Sequence, residues 1–527
     1  MKKYFYLMAM AVAVLGFTAC TNDNDDNPTP QPETESLAEY TILYYANGGA
    51  NVDCCILPMI ADFYKANPEV YEKVNVVVQY KFSTAENLET QREDFDVFPE
   101  NCGSKTIRWV VDPAKTFEEQ AYGQANLYGA DNADCTCPDS LTNFINWAAK
   151  AYPAKKYMLI VNDHGGGYLP DEELPEITPA TTRGLLYDDG YMTNGKKKHF
   201  TVKTFHRAVA SANVRFETIY MLACLMNNLE YQFELQDLCD YVIASTYTMP
   251  AWGGALNVLP EVFSQPSVDV EKALAAYCKA DVESWDRPLV DAGISDDYPF
   301  YTDLTVTRTA GIAPLGQMLR QFTDRLCNTY ENGTDAQRQA IDSCTARTIK
   351  VQLNQPNYDV IKYIKSIVNA LPEVYGEEFY NQMKQAFNNC IVAQYYSNYL
   401  TAHDFMVDYS VLLGYAGTYS YIFWKKDSET NTQFPYAEQV YTADGEILTF
   451  WLEPTDSPYA YQMVFREDWP IKPWGSTLAD TYEQLAFDRA VGWNRWIRLN
   501  RQHPNMFSPK ELNFELPWPD DSKENME

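Results

Sequence analysis

The residues best placed to do chemistry are a histidine and a cysteine. His164, one of five histidines in 527 residues, follows the apolar run Tyr157–Val161 and opens the turn His164-Gly165-Gly166-Gly167. Cys224 holds the matching place after a second apolar run, Phe216–Leu222. An imidazole near a thiol can take its proton, and the thiolate so formed attacks carbonyl carbon. Glycines after the histidine let a substrate backbone approach closely and leave peptide N–H groups free to donate to developing negative charge. Cys224 is expected at the head of a helix, where oriented amides lower a thiol's pKa. Each residue alone also has a plain structural reading, the histidine as a turn residue and the cysteine as a buried filler. At successive strand ends of one sheet, the pair points to nucleophilic catalysis.

Positioning that pair requires strands that run the same way. Thr41–Ala46 reads as a strand, Asn47-Gly48-Gly49 as a turn and Cys55–Lys65 as a helix. Val74–Tyr80 is a second strand, and its nearly continuous apolar run fits a sheet covered on both faces. Thr106–Val111 and Tyr241–Ser245 are further strand candidates, while Ser140–Ala151, Val202–Ala212 and the segment from Cys224 to Leu238 read as helical. Strands alternating with helices predict an α/β fold over residues 38–260, a mostly parallel sheet sandwiched by helices. Ligands bind at the C-terminal edge of such a sheet. Residues 261–400 read as a mainly helical extension, with apolar spacing over 312–328 and 358–370. Residues 401–527 read as a mixed α+β region, with strand candidates Ile447–Trp451 and Tyr459–Phe465 and a docking helix over Tyr482–Leu499. The sequence contains no G-x-G-x-x-G fingerprint, Walker A motif or G-x-S-x-G elbow.

Composition removes other classes. Hydrophobic residues at 46% and aromatics at 14% exclude wholesale disorder. Lys+Arg 41 against Asp+Glu 72 gives a net charge of −31, which argues against a nucleic-acid partner, since that needs a basic patch. The largest basic cluster is Lys196-Lys197-Lys198, beside His199. Of twelve cysteines an odd number follows Cys20, so at least one thiol stays unpaired. Cys54-Cys55 and Cys135-Thr136-Cys137 lack the separation and the neighbouring histidine of a zinc site and read as buried thiols or disulfide partners.

The amino terminus reads as an address. Lys2 and Lys3 precede the apolar segment Tyr4–Phe17, and Ala19 stands directly before Cys20. This resembles a bacterial lipoprotein signal, which implies removal of residues 1–19 and lipidation of Cys20; a soluble secreted protein is the other reading. Residues 20–37 then form a tether, since Thr21–Ser36 holds no aliphatic or aromatic side chain to bury. Its acidic run resembles the surface-export signal of outer-membrane lipoproteins. The expected location is the cell surface, with the periplasmic face as the alternative. No later stretch reaches the roughly 18 apolar residues of a membrane span, so the lipid is the expected membrane contact.

A hydrophobic block ending in His-Gly, then a second ending in Ala-Cys, is the pattern of the caspase-like cysteine peptidases. More narrowly, the chain resembles the clostripain family, through Tyr152-Pro-Ala-Lys-Lys-Tyr-Met-Leu-Ile-Val-Asn-Asp-His-Gly-Gly-Gly167, Ala223-Cys-Leu-Met-Asn-Asn-Leu-Glu230, Ala244-Ser245 and Pro250-Ala-Trp-Gly253. Asn47 and the opening strand resemble the family's N-terminal block. The resemblance implies a caspase-like core, a peptide or protein substrate, Cys224 as nucleophile, His164 as its proton partner and the Gly165 and Cys224 amides as the oxyanion hole. Asp163 is a candidate for shaping the histidine's environment, with a solvated or turn-capping role as the other reading, and Glu230 for holding a loop. The family's preference for Arg or Lys is left open by two departures. Its usual acid two residues before the nucleophile is Leu222 here, and the acids after the Ala-Ser strand are replaced by Thr246-Tyr-Thr-Met249. A desolvated cation needs a paired anion, so the pocket candidates Leu222, Thr246 and Trp252 describe an apolar or small pocket. Relatives are activated by cleavage between His and Cys, which makes Lys196, Lys197 and Lys198 a candidate processing loop. No cofactor is required by this chemistry; calcium enters from the resemblance only, with Asp188-Asp189 as carboxylates or as a solvated turn. Two other readings stand beside the endopeptidase. One is an inactive relative that binds peptide or protein at the cell surface, and the other is a glycan- or nutrient-binding lipoprotein that uses its aromatic residues.

Overall fold

A computed structural model of the chain describes residues 37–92, 102–123, 134–168, 184–193, 196–250, 252–265, 267–346, 357–412, 419–426, 433–441, 447–454, 460–465, 482–501 and 513–515. The signal segment, Cys20 and the acidic tether lie outside the described residues. Among the described residues no helix is long and apolar enough to cross a membrane.

The chain builds β1 (Ala38–Asn47), α1 (Asp53–Asp62), β2 (Val74–Lys81), α2 (Ala85–Arg92), β3 (Thr106–Val110), α3 (Phe117–Ala121), α4 (Pro138–Ala151) and β4 (Ala154–Asn162). A hairpin of β5 (Leu185–Thr193) and β6 (Lys196–Phe200) follows, then α5 (Val202–Ala210), β7 (Phe216–Leu222), α6 (Leu229–Leu235) and β8 (Cys239–Ala244). Next come α7 (Val258–Phe263), α8 (Val270–Asp291), β9 (Asp303–Arg308) and α9 (Ile312–Asn332). A short strand β10 (Asn357–Asp359) and β11 (Ile391–Tyr396) complete the elements that bear on the site.

Eight strands form one sheet in the order β11-β9-β8-β7-β4-β1-β2-β3. The five strands from β8 to β2 are parallel; β3 at one edge is antiparallel to β2, and at the other edge β9 is antiparallel to β8 and β11 to β9, so β11 again points with the central five. The mostly parallel sheet expected from the sequence is therefore the middle of a mixed one. The chain leaves β1 toward β2 on one side and returns to place β4 on the other, so the order reverses between β1 and β4. Such a reversal opens a crevice at the C-terminal strand ends.

Strand residues alternate between two helical layers. Leu43, Tyr45, Leu159, Val161, Ile219 and Met221 pack with α4, α5 and α9 on one face. Ile42, Tyr44, Met158, Ile160, Tyr220 and Leu222 pack with α1, α7 and α8 on the other. The nearly unbroken apolar runs of the central strands follow from burial on both faces.

The sheet does not stop near residue 260. β9 and β11 lie within the segment that reads as a helical extension, and they extend the sheet instead. In β9 apolar Leu304 and Val306 alternate with buried Thr305 and Thr307, a short period-two pattern lodged between two long helices. The helices expected over 312–328 and 358–370 are present as α9 and Val360–Ala370. The expected C-terminal docking helix is broken in two, Ala486–Val491 and Trp493–Arg501, at Gly492 with φ +73°. Its Phe487, Trp493 and Trp496 are buried in the layer of α9. The strands Ile447–Pro454 and Ala460–Phe465 belong to a separate five-stranded antiparallel sheet.

Asp281 of α8 is buried beneath the sheet and accepts hydrogen bonds from Tyr277 Oη, Tyr220 Oη and the Ala255 amide. Burial pushes its carboxyl from 3.8 up to about 7, against the pull of those donors. A carboxyl raised on folding contributes stability below its unfolded pKa, and that contribution is lost as pH rises through the folded value. Asp281→Asn removes the titration. Urea unfolding should show the variant gaining on the wild type as pH rises across the window from 3.8 to about 7, by about tenfold or more in the folding equilibrium. A difference independent of pH would contradict this account.

Candidate active site

β4 and β7 pair in parallel with Asn162 opposite Leu222. Two residues on, His164 and Cys224 leave the sheet level with one another. A Cβ built on Gly165 would lie 2.2 Å from the Cys224 carbonyl oxygen and 2.9 Å from the Cys224 nitrogen. The two strand ends are therefore in backbone contact, and only glycine fits there.

Gly165 also bridges Leu185 of the hairpin. The bracketing bonds run from the Gly166 amide to Gly184 O at 2.8 Å and from the Leu186 amide to His164 O at 3.0 Å. In an antiparallel pair with this pattern the central residue's own N–H points away from its partner. The Gly165 amide thus faces away from the hairpin.

Cys224 does not begin a helix. Leu225 adopts φ +66°, and the Leu225 and Asn227 amides donate to Tyr247 O and Ser245 O beyond β8, each at 2.8 Å. Helix α6 starts only after Asn228, whose side chain caps the Tyr231 amide. The expected helix-terminal amides are therefore replaced by one neighbour: the Met249 amide donates to Cys224 Sγ at 3.2 Å. Burial pushes the Cys224 thiol up, the Met249 amide and the residue's own amide pull it down, and Asp163 adds to the rise. The resting sulfur is held as a thiol, and attack needs a proton acceptor.

His164 is half-buried, and its Nε2 lies 2.7 Å from Asn51 Oδ1. The Tyr187 ring stands edge-on at 6.4 Å between centroids. Asp163 is buried and turns from the ring to the backbone. Its carboxylate accepts the His164 amide at 2.5 Å and the Tyr187 amide at 2.6 Å, the turn-capping role, with no solvated face. Burial raises its pKa well above the ordinary range, reinforced by Asp188, Asp53 and Asp189, while the His164 amide pulls it down.

The remaining sequence candidates separate. Leu222 is 4% exposed and belongs to the apolar layer with Tyr220, Leu256 and Trp285. Thr246 is buried; its hydroxyl accepts from Asn227 and its amide donates to Asp303. Trp252 is 42% exposed, is stacked on Phe300 and donates its Nε1 to Trp285 O, so of the three it alone presents a broad surface. Lys196, Lys197 and Lys198 stand in strand β6, paired with β5, where a loop is expected. Lys198 is tied to Asp134 at 2.9 Å and lies over the Tyr191 ring. Glu230 is buried and accepts the Tyr482 hydroxyl at 2.7 Å, so it fastens the C-terminal segment. Asp188 is taken by buried Lys81 at 2.6 Å and by the Cys135 amide and thiol, and Asp189 by the Thr84 amide and Asn87. This pair does not fit calcium: one carboxylate is spent on an ammonium. Among the described residues no group of three or more His, Cys, Asp or Glu could hold a metal ion. Cys54 and Cys55 have their sulfurs 3.6 Å apart. Asn51 and the Met249 amide are the contacts sequence reading misses: one is a single asparagine in a polar turn, and the other is backbone.

The model of the Clostripain family matches residues 64–451, a span that includes both His164 and Cys224. Similar solved structures include a secreted C11 cysteine protease from Bacteroides thetaiotaomicron, at 14% identity over 68% of this chain and 87% of that one, TM-score 0.47. A secreted C11 cysteine protease from the same organism, in complex with an irreversible peptide inhibitor, matches at 15% identity over 86% and 99%, TM-score 0.48. An inactive zymogen C11 protease from Parabacteroides distasonis matches at 12% identity over 86% and 99%, TM-score 0.46. No curated protein matches the chain.

Gly165→Ala tests the contact between the two strand ends. Its Cβ meets backbone on Cys224, which cannot turn aside as a side chain can. The expected cost is about 1–3 kcal/mol in urea unfolding, the scale of an overpacked interior. Unchanged stability would show that the strand ends can part.

Proposed function

The chain belongs to the clostripain family and has that family's caspase-like fold, and from this we propose that it is a cysteine endopeptidase working through Cys224 and His164. The observation that carries the reading is the β4–β7 register, which sets the two residues level at the C-terminal edge of the sheet. Cys224 Sγ attacks the scissile carbonyl carbon as its proton passes to the His164 imidazole. The negative charge that develops on the carbonyl oxygen is met by the Gly165 and Cys224 amides. His164 returns the proton to the leaving amine, which departs and leaves a thioester on Cys224. Water, deprotonated by His164, then releases the acid and regenerates the thiol. A thiol raised by burial suits this sequence, because the sulfur gains charge only as it reacts.

The preference is for uncharged, apolar side chains before the scissile bond. The exposed surface next to the Met249 segment is Trp252 on Phe300, and Leu222, at the family's acidic position, is turned into the apolar layer of Trp285, so neither brings a carboxylate to a basic side chain. A cation buried there would have no anion within this set of residues to pair with. The lipid anchor at Cys20 and cell-surface location belong to the same proposal, on the sequence of residues 1–37 alone.

A diverse peptide library offered to the wild type beside Cys224→Ala and His164→Ala checks the reading. Cleavage at apolar residues is expected from the wild type, with a loss of about 100-fold or more in each variant. Cleavage confined to Arg or Lys would overturn the pocket assignment. Absence of cleavage, together with no labelling of Cys224 by an electrophilic peptide probe, would overturn the enzyme. For the anchor, a labelled fatty acid should enter the wild-type chain in cells and not Cys20→Ser; equal labelling would remove Cys20 from the account.

A further inference from the structure

We propose that Asn51 is the positioning residue of the His164 imidazole, a proposal that rests on the peptidase reading above. Asn51 Oδ1 lies 2.7 Å from His164 Nε2. A side-chain amide oxygen only accepts, so the contact places the proton of the neutral ring on Nε2 and the lone pair on Nδ1. A general base needs that division of roles: one nitrogen holds its proton and the lone pair of the other takes the thiol's. When the ring gains its second proton, the Nε2–H···O bond becomes charge-assisted and strengthens. Asn51 therefore orients the resting ring and stabilises its protonated form, without the fixed negative charge a carboxylate would add.

The backbone that carries Asn51 is built for the contact. It leaves β1 at Asn47, whose Oδ1 accepts the Gly49 amide at 2.6 Å. Gly49 and Ala50 then take φ +52° and +80°, both left-handed. An alanine in that region is strained and persists only where its surroundings hold it, as happens at functional sites. Here the Ala50 amide donates to Ser83 Oγ at 3.1 Å, the Ala50 carbonyl accepts Gln91 Nε2 at 3.2 Å, and the Val52 amide closes on Gly48 O at 2.9 Å. A Cβ on Gly49 would fall 2.1 Å from Asp163 Oδ1 and 2.9 Å from His164 Cδ2. The turn after β1 is thus pressed against the end of β4, and Asn51 is the residue it delivers to the ring. Asp163, the adjacent carboxylate, is occupied by the His164 and Tyr187 amides.

The test uses the full chain and two measurements. One is kcat and KM against pH on a peptide cleaved by the wild type. The other is the pH dependence of iodoacetamide alkylation, followed at Cys224 by mass spectrometry, which needs no peptide substrate. Asn51→Ala should lower kcat about tenfold with KM unchanged, the equivalent of one hydrogen bond, and slow Cys224 alkylation at neutral pH. Asn51→Asp restores the acceptor and adds a charge beside the ring, so it should recover the rate and move the acidic limb of kcat/KM to higher pH. Wild-type kcat and alkylation in Asn51→Ala would overturn the proposal. So would a loss that Asn51→Asp leaves uncorrected, which marks a merely structural residue. If the wild type cleaves nothing, the peptidase reading falls by itself, and the alkylation profiles of the variants still decide on Asn51.

Discussion

The pairing of β4 with β7 is the interaction on which the site depends. Met158–Asn162 lie opposite Thr218–Leu222 in parallel, and each strand is buried on both faces. A slip of one residue would turn Leu159, Val161, Ile219 and Met221 out of one packed layer and into the other, so the register is fixed by every residue along it. The level placement of residues 164 and 224 is a by-product of that packing. The geometry of the proposed catalytic pair is here set by the core, and the contact of Gly165 with the Cys224 backbone records how closely the two ends are held.

Around those ends, buried carboxylates hold the loops. Asp53 receives Tyr80 Oη, the Ser83 amide and Gln91; Asp163 receives two amides beside His164; Asp303 receives Ser245 Oγ and the amides of Thr246 and Tyr247. Asp188 is neutralised by Lys81. A carboxylate out of water is costly unless it is paired or hydrogen-bonded, and Asp53, Asp163 and Asp303 are raised by burial in spite of their donors. Each joins segments far apart in the chain, so the strand-end loops have few alternatives to the conformation they adopt. Part of the sequence's excess of acidic residues is in this sense interior, and it reports on architecture more than on substrate.

Legibility followed chemistry and periodicity. The central strands could be read because burial on both faces makes their apolar runs continuous. His164 and Cys224 could be read because reactive side chains at strand ends are rare in a chain with five histidines. What stayed hidden depends on partners distant in sequence. Helical spacing near Leu229 suggests a helix that starts at Cys224, yet the Leu225 and Asn227 amides are claimed by the segment after β8. The lysine triplet looks like a solvated loop until β5 pairs with it. Leu222 reads as a pocket wall from its place before the cysteine, whereas strand alternation sends it into the layer of Trp285.

The strand order also has a kinetic consequence. β1 waits for a partner more than a hundred residues away in β4, and β9 waits for β11 across most of a further hundred. Pairings between such distant segments close large loops before any contact rewards them, which makes folding slow. Until β4 docks, the edges of β1 and β7 stay open to other strands. The level placement of His164 and Cys224 therefore waits on the docking of β4, the strand that joins the two halves of the sheet.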